Sequence, residues 1–183
     1  MIRLLLTAAG LCGCLFTNAN AACRADLALS APNARYAEPG DGLVLDIRTG
    51  LVWYKCTIAE SYDAATDTCI VTSADLQSLT WQDALQAIGS INDAGLLGFN
   101  DWRMPNIKEL GSLVERACTD PSINQTYFPD AASDLFWSST PIFRGLEIGF
   151  PIDFTDGREV AFPVIENLDA NQAGLRTRLV RTP

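Results

Sequence analysis

The chain has 183 residues, with 13 Lys and Arg against 22 Asp and Glu, a formal net charge of −9 and no histidine. An acidic chain with scattered bases is a poor binder of nucleic acids and of anionic membrane surfaces. The missing imidazole excludes Ser-His-Asp and Cys-His mechanisms and zinc sites that depend on histidine. Glycosidase chemistry needs only two carboxylates and stays open.

The N-terminal residues 1–21 predict a secretory signal peptide. Arg3 gives a positive start, and the apolar run of residues 4–16 is shorter than the roughly 20 residues of a membrane span. Small residues before Ala22 fit a cleavage site. The alternative is a lipoprotein box that ends at Cys14, which would carry the lipid. We therefore expect an exported protein, in the periplasm or at the cell surface, without a later membrane span.

Removal of that segment leaves four cysteines, which in an exported protein predict two disulfides. Cys56 and Cys69 are close in sequence and flank a polar loop, so this pair is favoured. Cys23 is then left to pair with Cys118, which would tie the N-terminus to the end of the central helix. Free buried thiols are the alternative.

The first predicted strands begin after a polar, turn-rich lead-in at residues 22–42, and we place the domain at residues 43–183. Alternating residues at 43–47 and an apolar run at 51–54 flank a short turn, which is a strand–turn–strand pattern. Residues 57–79 predict a polar loop that the Cys56–Cys69 disulfide closes.

Two amphipathic helices follow. Thr80 opens the first, which has apolar residues at three- and four-residue steps and ends at Gly95. The second begins at Asn106 or the residue after it, with Asn106 and Glu109 in a capping box, and runs to about Ala117.

Short strands predominate in the C-terminal third. Residues 135–139, 148–154 and 158–162 predict strands, and residues 156–157 predict a hairpin turn. Residues 176–181 predict the last strand. Early helices and late strands, after one hairpin, indicate an α+β protein with a mostly antiparallel sheet.

The segment of residues 101–110 carries the densest pattern in the chain. Pro105 favours an extended entry into the second helix. Asp101 and Arg103 flank Trp102, and we expect the two charged residues to form a hydrogen-bonded pair that locks the segment. Ligand contact is the alternative role for Arg103.

Aromatic residues supply the other candidate contacts. Four tryptophans are expected in the core, with stacking of sugar rings as the alternative; they are Trp53, Trp81, Trp102 and Trp137. Tyr127 and Phe128 lie next to a proline in a loop and are therefore the better aromatic candidates for exposure and ligand contact.

Charged residues near the end of the chain and three pairs of acids complete the candidates. Arg176, Arg178 and Arg181 divide between two faces of a strand, so solvated positions are expected. The acid pairs could hold calcium or act in hydrolysis; they are Asp63/Asp67, Asp130/Asp134 and Asp153/Asp156. None has the spacing of a calcium loop, so no cofactor is expected and calcium is kept as an alternative.

Several short sequence blocks follow one another in a characteristic order. They are residues 49–53 (TGLVW), 80–85, 101–110 (DWRMPNIKEL), 121–124, 127–129, 136–139 (FWSS), 153–157 and 178–181 (RLVR). In order and spacing they resemble the Lcl C-terminal domain family, named for the C-terminal domain of a bacterial collagen-like surface adhesin. The resemblance implies a C-type-lectin-like fold, export, and adhesion or glycan binding. Collagen-like repeats and the Glu-Pro-Asn and Trp-Asn-Asp calcium motifs of C-type lectins do not occur in the sequence.

We therefore expect an exported, non-catalytic binding domain that recognises a glycan or another component of the cell envelope in adhesion. The alternative is a structural or assembly protein of the envelope that binds another protein. A carboxylate-based hydrolase is the remote alternative.

Overall fold

The structure is a computed structural model that describes residues 21–140, 148–163 and 174–183. The helices in these ranges are α1 (Trp81–Ala94) and α2 (Ile107–Ser112). The strands are β1 (Ala22–Cys23), β2 (Tyr36–Ala37), β3 (Leu43–Asp46), β4 (Leu51–Thr57), β5 (Glu60–Asp63), β6 (Thr68–Val71), β7 (Cys118–Thr119), β8 (Leu135–Phe136), β9 (Ile148–Gly149), β10 (Ile152–Asp153), β11 (Arg158–Glu159), β12 (Phe162–Pro163) and β13 (Arg178–Arg181). The predicted α+β class with mostly antiparallel pairing is confirmed. The predicted signal peptide up to residue 20, including Cys14, lies outside the described residues.

A four-stranded antiparallel sheet organises the fold, in the order β2-β3-β4-β13. All seven residues of β4 are buried, because the strand is covered on both faces. Neighbouring strand residues point to opposite faces, so Trp53 and Tyr54 belong to two different apolar clusters. Val180 and Leu179 on β13 divide in the same way.

The two helices cover opposite faces of this sheet. Leu110 of α2 packs with Trp53 and three buried phenylalanines in the first cluster. Ala84 and Ile88 of α1 pack with Tyr54 and with the remaining tryptophans in the second. Trp53, Trp102 and Trp137 are buried as expected, and Trp81 is half-buried.

The boundaries of α1 follow from its end residues. The hydroxyl of Thr80 accepts the backbone N–H of Asp83, which satisfies one unpaired donor of the first turn. Gly95 ends the helix in the left-handed region, at φ 69°, where glycine has no steric cost. Both ends of α1 lie where the sequence predicted them.

The second helix is shorter than predicted. Its capping box at Asn106 and Glu109 is present, but α2 ends at Ser112 and not near Ala117. Val114 instead forms an antiparallel bridge with Ile123. The prediction was wrong because an apolar repeat cannot distinguish one more helical turn from a segment that pairs with a distant strand.

The lead-in at residues 22–42 is built into the core. Ala31 is fully buried, and Arg35 donates two hydrogen bonds to the buried carboxylate of Asp46 on β3, one of them at 2.8 Å from Nε. A guanidinium that binds a carboxylate in this bidentate way is strongly oriented. The pair therefore fixes the N-terminal segment on the edge of the main sheet.

Both disulfides have the pairing that the sequence favoured. Cys23–Cys118 joins β1 to β7, and Cys56–Cys69 joins β4 to β6. The segment between Cys56 and Cys69 is not only a polar loop, since β5 and β6 form an antiparallel hairpin there. Lys55 of β4 also holds this hairpin, with its ammonium 2.7 Å from a carboxylate oxygen of Asp67.

Candidate functional site

Three sets of hydrogen bonds hold the segment of residues 101–110. Backbone bonds join Arg103 to Val180 in both directions, at 2.9 and 3.0 Å. The side-chain amide of Asn92 on α1 donates to the carbonyl of Trp102 and accepts its N–H, both at 2.9 Å. The guanidinium of Arg103 binds Glu109 through two bonds of 2.7 and 2.8 Å.

The expected pair between Asp101 and Arg103 does not form. Asp101 accepts a hydrogen bond of 2.8 Å from Arg181, which also lies over the ring of Phe99. Arg103 pairs with Glu109 because the capping box brings that carboxylate back to the start of α2. The hydrogen bond from Arg181 lowers the pKa of Asp101, so the carboxylate stays charged at neutral pH.

Phe128 is not an exposed ligand contact, and that prediction was wrong. Its side chain is 0% exposed. It packs edge-on against Tyr36, with ring centroids 5.8 Å apart. Tyr127 is half-buried against the same tyrosine at 5.2 Å. Pro129 does lie in a turn, but the ring of Phe128 before it belongs to the first apolar cluster.

Arg178 is not solvated either. It is 1% exposed, and its guanidinium lies over the rings of Phe128 and Phe136 at 5.0 and 5.3 Å. Burial lowers its pKa to about 10. Arg176 pairs with Glu60 and Asp134, and Arg181 pairs with Asp101, so these arginines are buried or paired and do not form an anion-binding stripe.

The candidate acid pairs are each tied to protein groups; their partners are Lys55 for Asp67, backbone N–H groups for Asp63 and Asp130, Arg176 for Asp134, and Arg158 for Asp153 and Asp156. One further cluster in the described residues joins Cys56, Glu60 and Cys69. Its two sulfurs form a disulfide, so they offer no thiolate to a metal.

A cleft of about 700 Å³ is the best candidate site in the described part of the chain. It lies between α1 and the base of the β5–β6 hairpin. Its lining residues are Tyr54, Thr57, Ile58, Ala59, Glu60, Thr72, Leu76, Leu79, Asp83, Gln86, Ala87, Ser90, Ile91, Ala94, Leu96 and Leu179. This size falls within the range of ligand pockets.

The interior of this cleft is apolar and part of its rim is polar. Buried aliphatic residues, among them Ile58, Leu79 and Leu179, lie at its base. Exposed Asp83 and Ser90 of α1 lie on its rim. Such an arrangement excludes water from an apolar group while polar groups at the entrance orient the ligand.

The hairpin side of the cleft is held by hydrogen bonds. Glu60 accepts the N–H of Thr57 at 2.8 Å and contacts Arg176 at 3.4 Å. The hydroxyl of Tyr54 accepts the N–H of Tyr62 at 3.0 Å and donates to the carbonyl of Glu60 at 3.2 Å. These bonds and the Cys56–Cys69 bridge fix the wall opposite α1.

The sequence patterns did not predict this cleft. None of the residues proposed as ligand contacts, Tyr127, Phe128 and Arg103, lines it. Two signals were present in the sequence. Apolar Leu76 lies in a segment predicted to be polar, and Ala87 and Ile91 widen the apolar stripe of α1 beyond what one sheet face covers.

No described helix is long and apolar enough to cross a lipid bilayer. Two disulfides indicate an oxidising compartment, and hence an exported protein.

No curated protein and no solved structure shows significant similarity to the chain. The family model of the Lcl C-terminal domain matches residues 42–181. The matched range begins one residue before β3 and ends with the last residue of β13, so it contains both helices and every residue that lines the cleft. The chain therefore belongs to the Lcl C-terminal domain family, an adhesin-type domain.

Proposed function

We propose that this chain is an exported, non-catalytic recognition domain on a C-type-lectin-like frame, and that it binds a component of the bacterial cell envelope in the cleft between α1 and the β5–β6 hairpin. The cleft is the single observation that carries the proposal. Membership in an adhesin-type family supports a binding role.

The construction of the cleft supports recognition. One wall is a capped helix of 14 residues, and the other is a hairpin tied to β4 by a disulfide. Sites on such fixed elements lose little conformational freedom when a ligand binds. The domain therefore presents a preformed concavity, as a non-catalytic binding protein requires.

The surroundings of the carboxylates also favour binding over hydrolysis. A glycosidase needs two carboxyl groups that face a common substrate. Glu60, which lines the cleft, already accepts a hydrogen bond from a backbone N–H and forms an ion pair with Arg176. Asp83, the other lining carboxylate, accepts the hydroxyl of Thr80 at 2.7 Å at the start of α1.

The test is binding of purified, oxidised protein to isolated bacterial envelopes and to their polysaccharide fraction, measured by co-sedimentation. Ser90→Arg places a long charged side chain on the rim and is expected to abolish binding. Gly89→Arg is the matched control, because Gly89 is exposed on the same helix, does not line the cleft and has open space around an added Cβ. Equal binding by both variants would contradict the proposal.

A further inference from the structure

The lining of the cleft indicates which chemical class its ligand belongs to. Tyr54 is its one aromatic residue, and the hydroxyl of that side chain is already bonded within the hairpin. The remaining apolar lining is aliphatic or alanine. Sugar rings stack on exposed aromatic faces, whereas aliphatic walls match aliphatic side chains.

The apolar surface continues out of the cleft. Leu76, on its rim, is 44% exposed. Val71 lies opposite the lining residue Glu60 in the β5–β6 hairpin and is 49% exposed. Exposed aliphatic side chains next to a preformed pocket are typical of protein interaction sites. The apolar surface therefore extends beyond the interior of the cleft.

Charge further restricts the occupant. The described residues that line the cleft include the carboxylates of Glu60 and Asp83 and no Lys or Arg. Arg176, which contacts Glu60, is itself shared with Asp134. The whole chain carries a net charge of −9. Sulfated polysaccharides and anionic lipids are repelled by such a rim, and a basic ligand is attracted.

We infer that the cleft receives a basic, aliphatic segment of a protein partner, with an aliphatic side chain in the apolar interior and a Lys or Arg beside Asp83. This inference rests on the proposed function, because it names the ligand class of the same site. One anchor in a pocket beside an oriented charge is a common arrangement in peptide recognition.

Selection of random twelve-residue peptides displayed on phage, on the oxidised and folded protein, tests the inference. We expect enriched peptides to combine Leu, Ile or Val with Lys or Arg. A synthetic peptide from that set is then titrated by calorimetry. Enrichment of acidic peptides, of peptides without aliphatic residues, or of none would overturn the inference.

Matched variants separate the charge effect from unfolding. Asp83→Asn is expected to weaken binding of the selected peptide about three- to tenfold, and added salt should reduce this difference because it screens the rim. Asp93→Asn is the control, since Asp93 is exposed on α1 outside the cleft. Equal affinities for both variants would overturn the proposed role of Asp83.

The two proposals can fail separately. If an envelope polysaccharide binds the wild type but not Ser90→Arg, and no basic peptide binds, the ligand class is wrong and the recognition site stands. If neither an envelope fraction nor a peptide depends on Ser90, both proposals are wrong.

Discussion

Glu115 is the buried carboxylate whose removal should cost the most stability outside the ion pairs. It is 2% exposed, and its Oε1 accepts the N–H groups of Ser30 and Ala117 at 3.0 and 2.9 Å. Its Oε2 accepts the N–H of Ala31 at 2.8 Å. One side chain therefore satisfies three backbone donors and joins the N-terminal segment to the chain after α2.

The substitution Glu115→Gln keeps the shape but replaces one acceptor oxygen by an NH2 donor. If the amide oxygen takes the place of Oε1, the N–H of fully buried Ala31 loses its partner, which costs about 1–3 kcal/mol. The bonds at the other oxygen also lose their charge assistance, worth about 1 kcal/mol. We expect a total loss of about 2–4 kcal/mol and a fall in Tm of about 4–16 °C.

The pH dependence gives a second readout for Glu115. Burial by itself raises the pKa of this carboxyl, but the N–H donors of Ala117, Ala31 and Ser30 outweigh burial and lower the pKa below the ordinary 4.5. The charged carboxylate therefore stabilises the folded protein, and this contribution is complete above about pH 4.5. That stability is lost as the pH falls from 4.5 through the pKa of the folded protein. As the pH falls through this window, the free energy of unfolding should therefore decrease less in Glu115→Gln than in the wild type.

Urea denaturation followed by tryptophan fluorescence measures both effects. Glu159→Gln is the control, because Glu159 is exposed on β11 and its loss should change the free energy of unfolding by less than about 0.5 kcal/mol. A loss below 1 kcal/mol for Glu115→Gln, or an unchanged acid limb, would refute the reasoning.

Three further substitutions are checked by the same denaturation assay. Gly157→Ala should destabilise by about 2–4 kcal/mol, because Gly157 has φ +79° and its added Cβ would clash with Cγ1 of Val114; a neutral effect would contradict this close approach. Gly89→Ala should stabilise by about 0.5–1 kcal/mol, since the residue lies within α1 with open space around its Cβ, and any loss of stability would be inconsistent with that. Asp46→Asn should cost about 3–5 kcal/mol because it leaves the buried guanidinium of Arg35 without an anionic partner, and a loss under 1 kcal/mol would show that the pair contributes little.

Local signals predicted the features that depend on neighbouring residues. The cap at Thr80, the glycine end of α1 and the capping box at Asn106 all follow from side chains within a few residues of the backbone groups that they satisfy. The disulfide pairing followed from one short separation, since Cys56 and Cys69 are only 13 residues apart.

The same signals failed where partners are distant in sequence. Leu85 belongs to the apolar repeat of α1 but is exposed, because the helix turns Ala84 and Ile88 toward the sheet. Phe128 and Arg178 have no local feature that predicts burial; their positions depend on each other across 50 residues of chain.

The amino-acid sequence alone determined the chemistry of the chain: its negative charge, its lack of imidazole, its cysteine pairs, its helix caps and its family membership. The tertiary structure decided which charges are paired and which apolar residues stay open to a ligand. The cleft exists only because α1 and the β5–β6 hairpin lie on either side of Tyr54 and Leu179. No period or spacing encodes that separation, since it depends on how two distant segments pack against one sheet face.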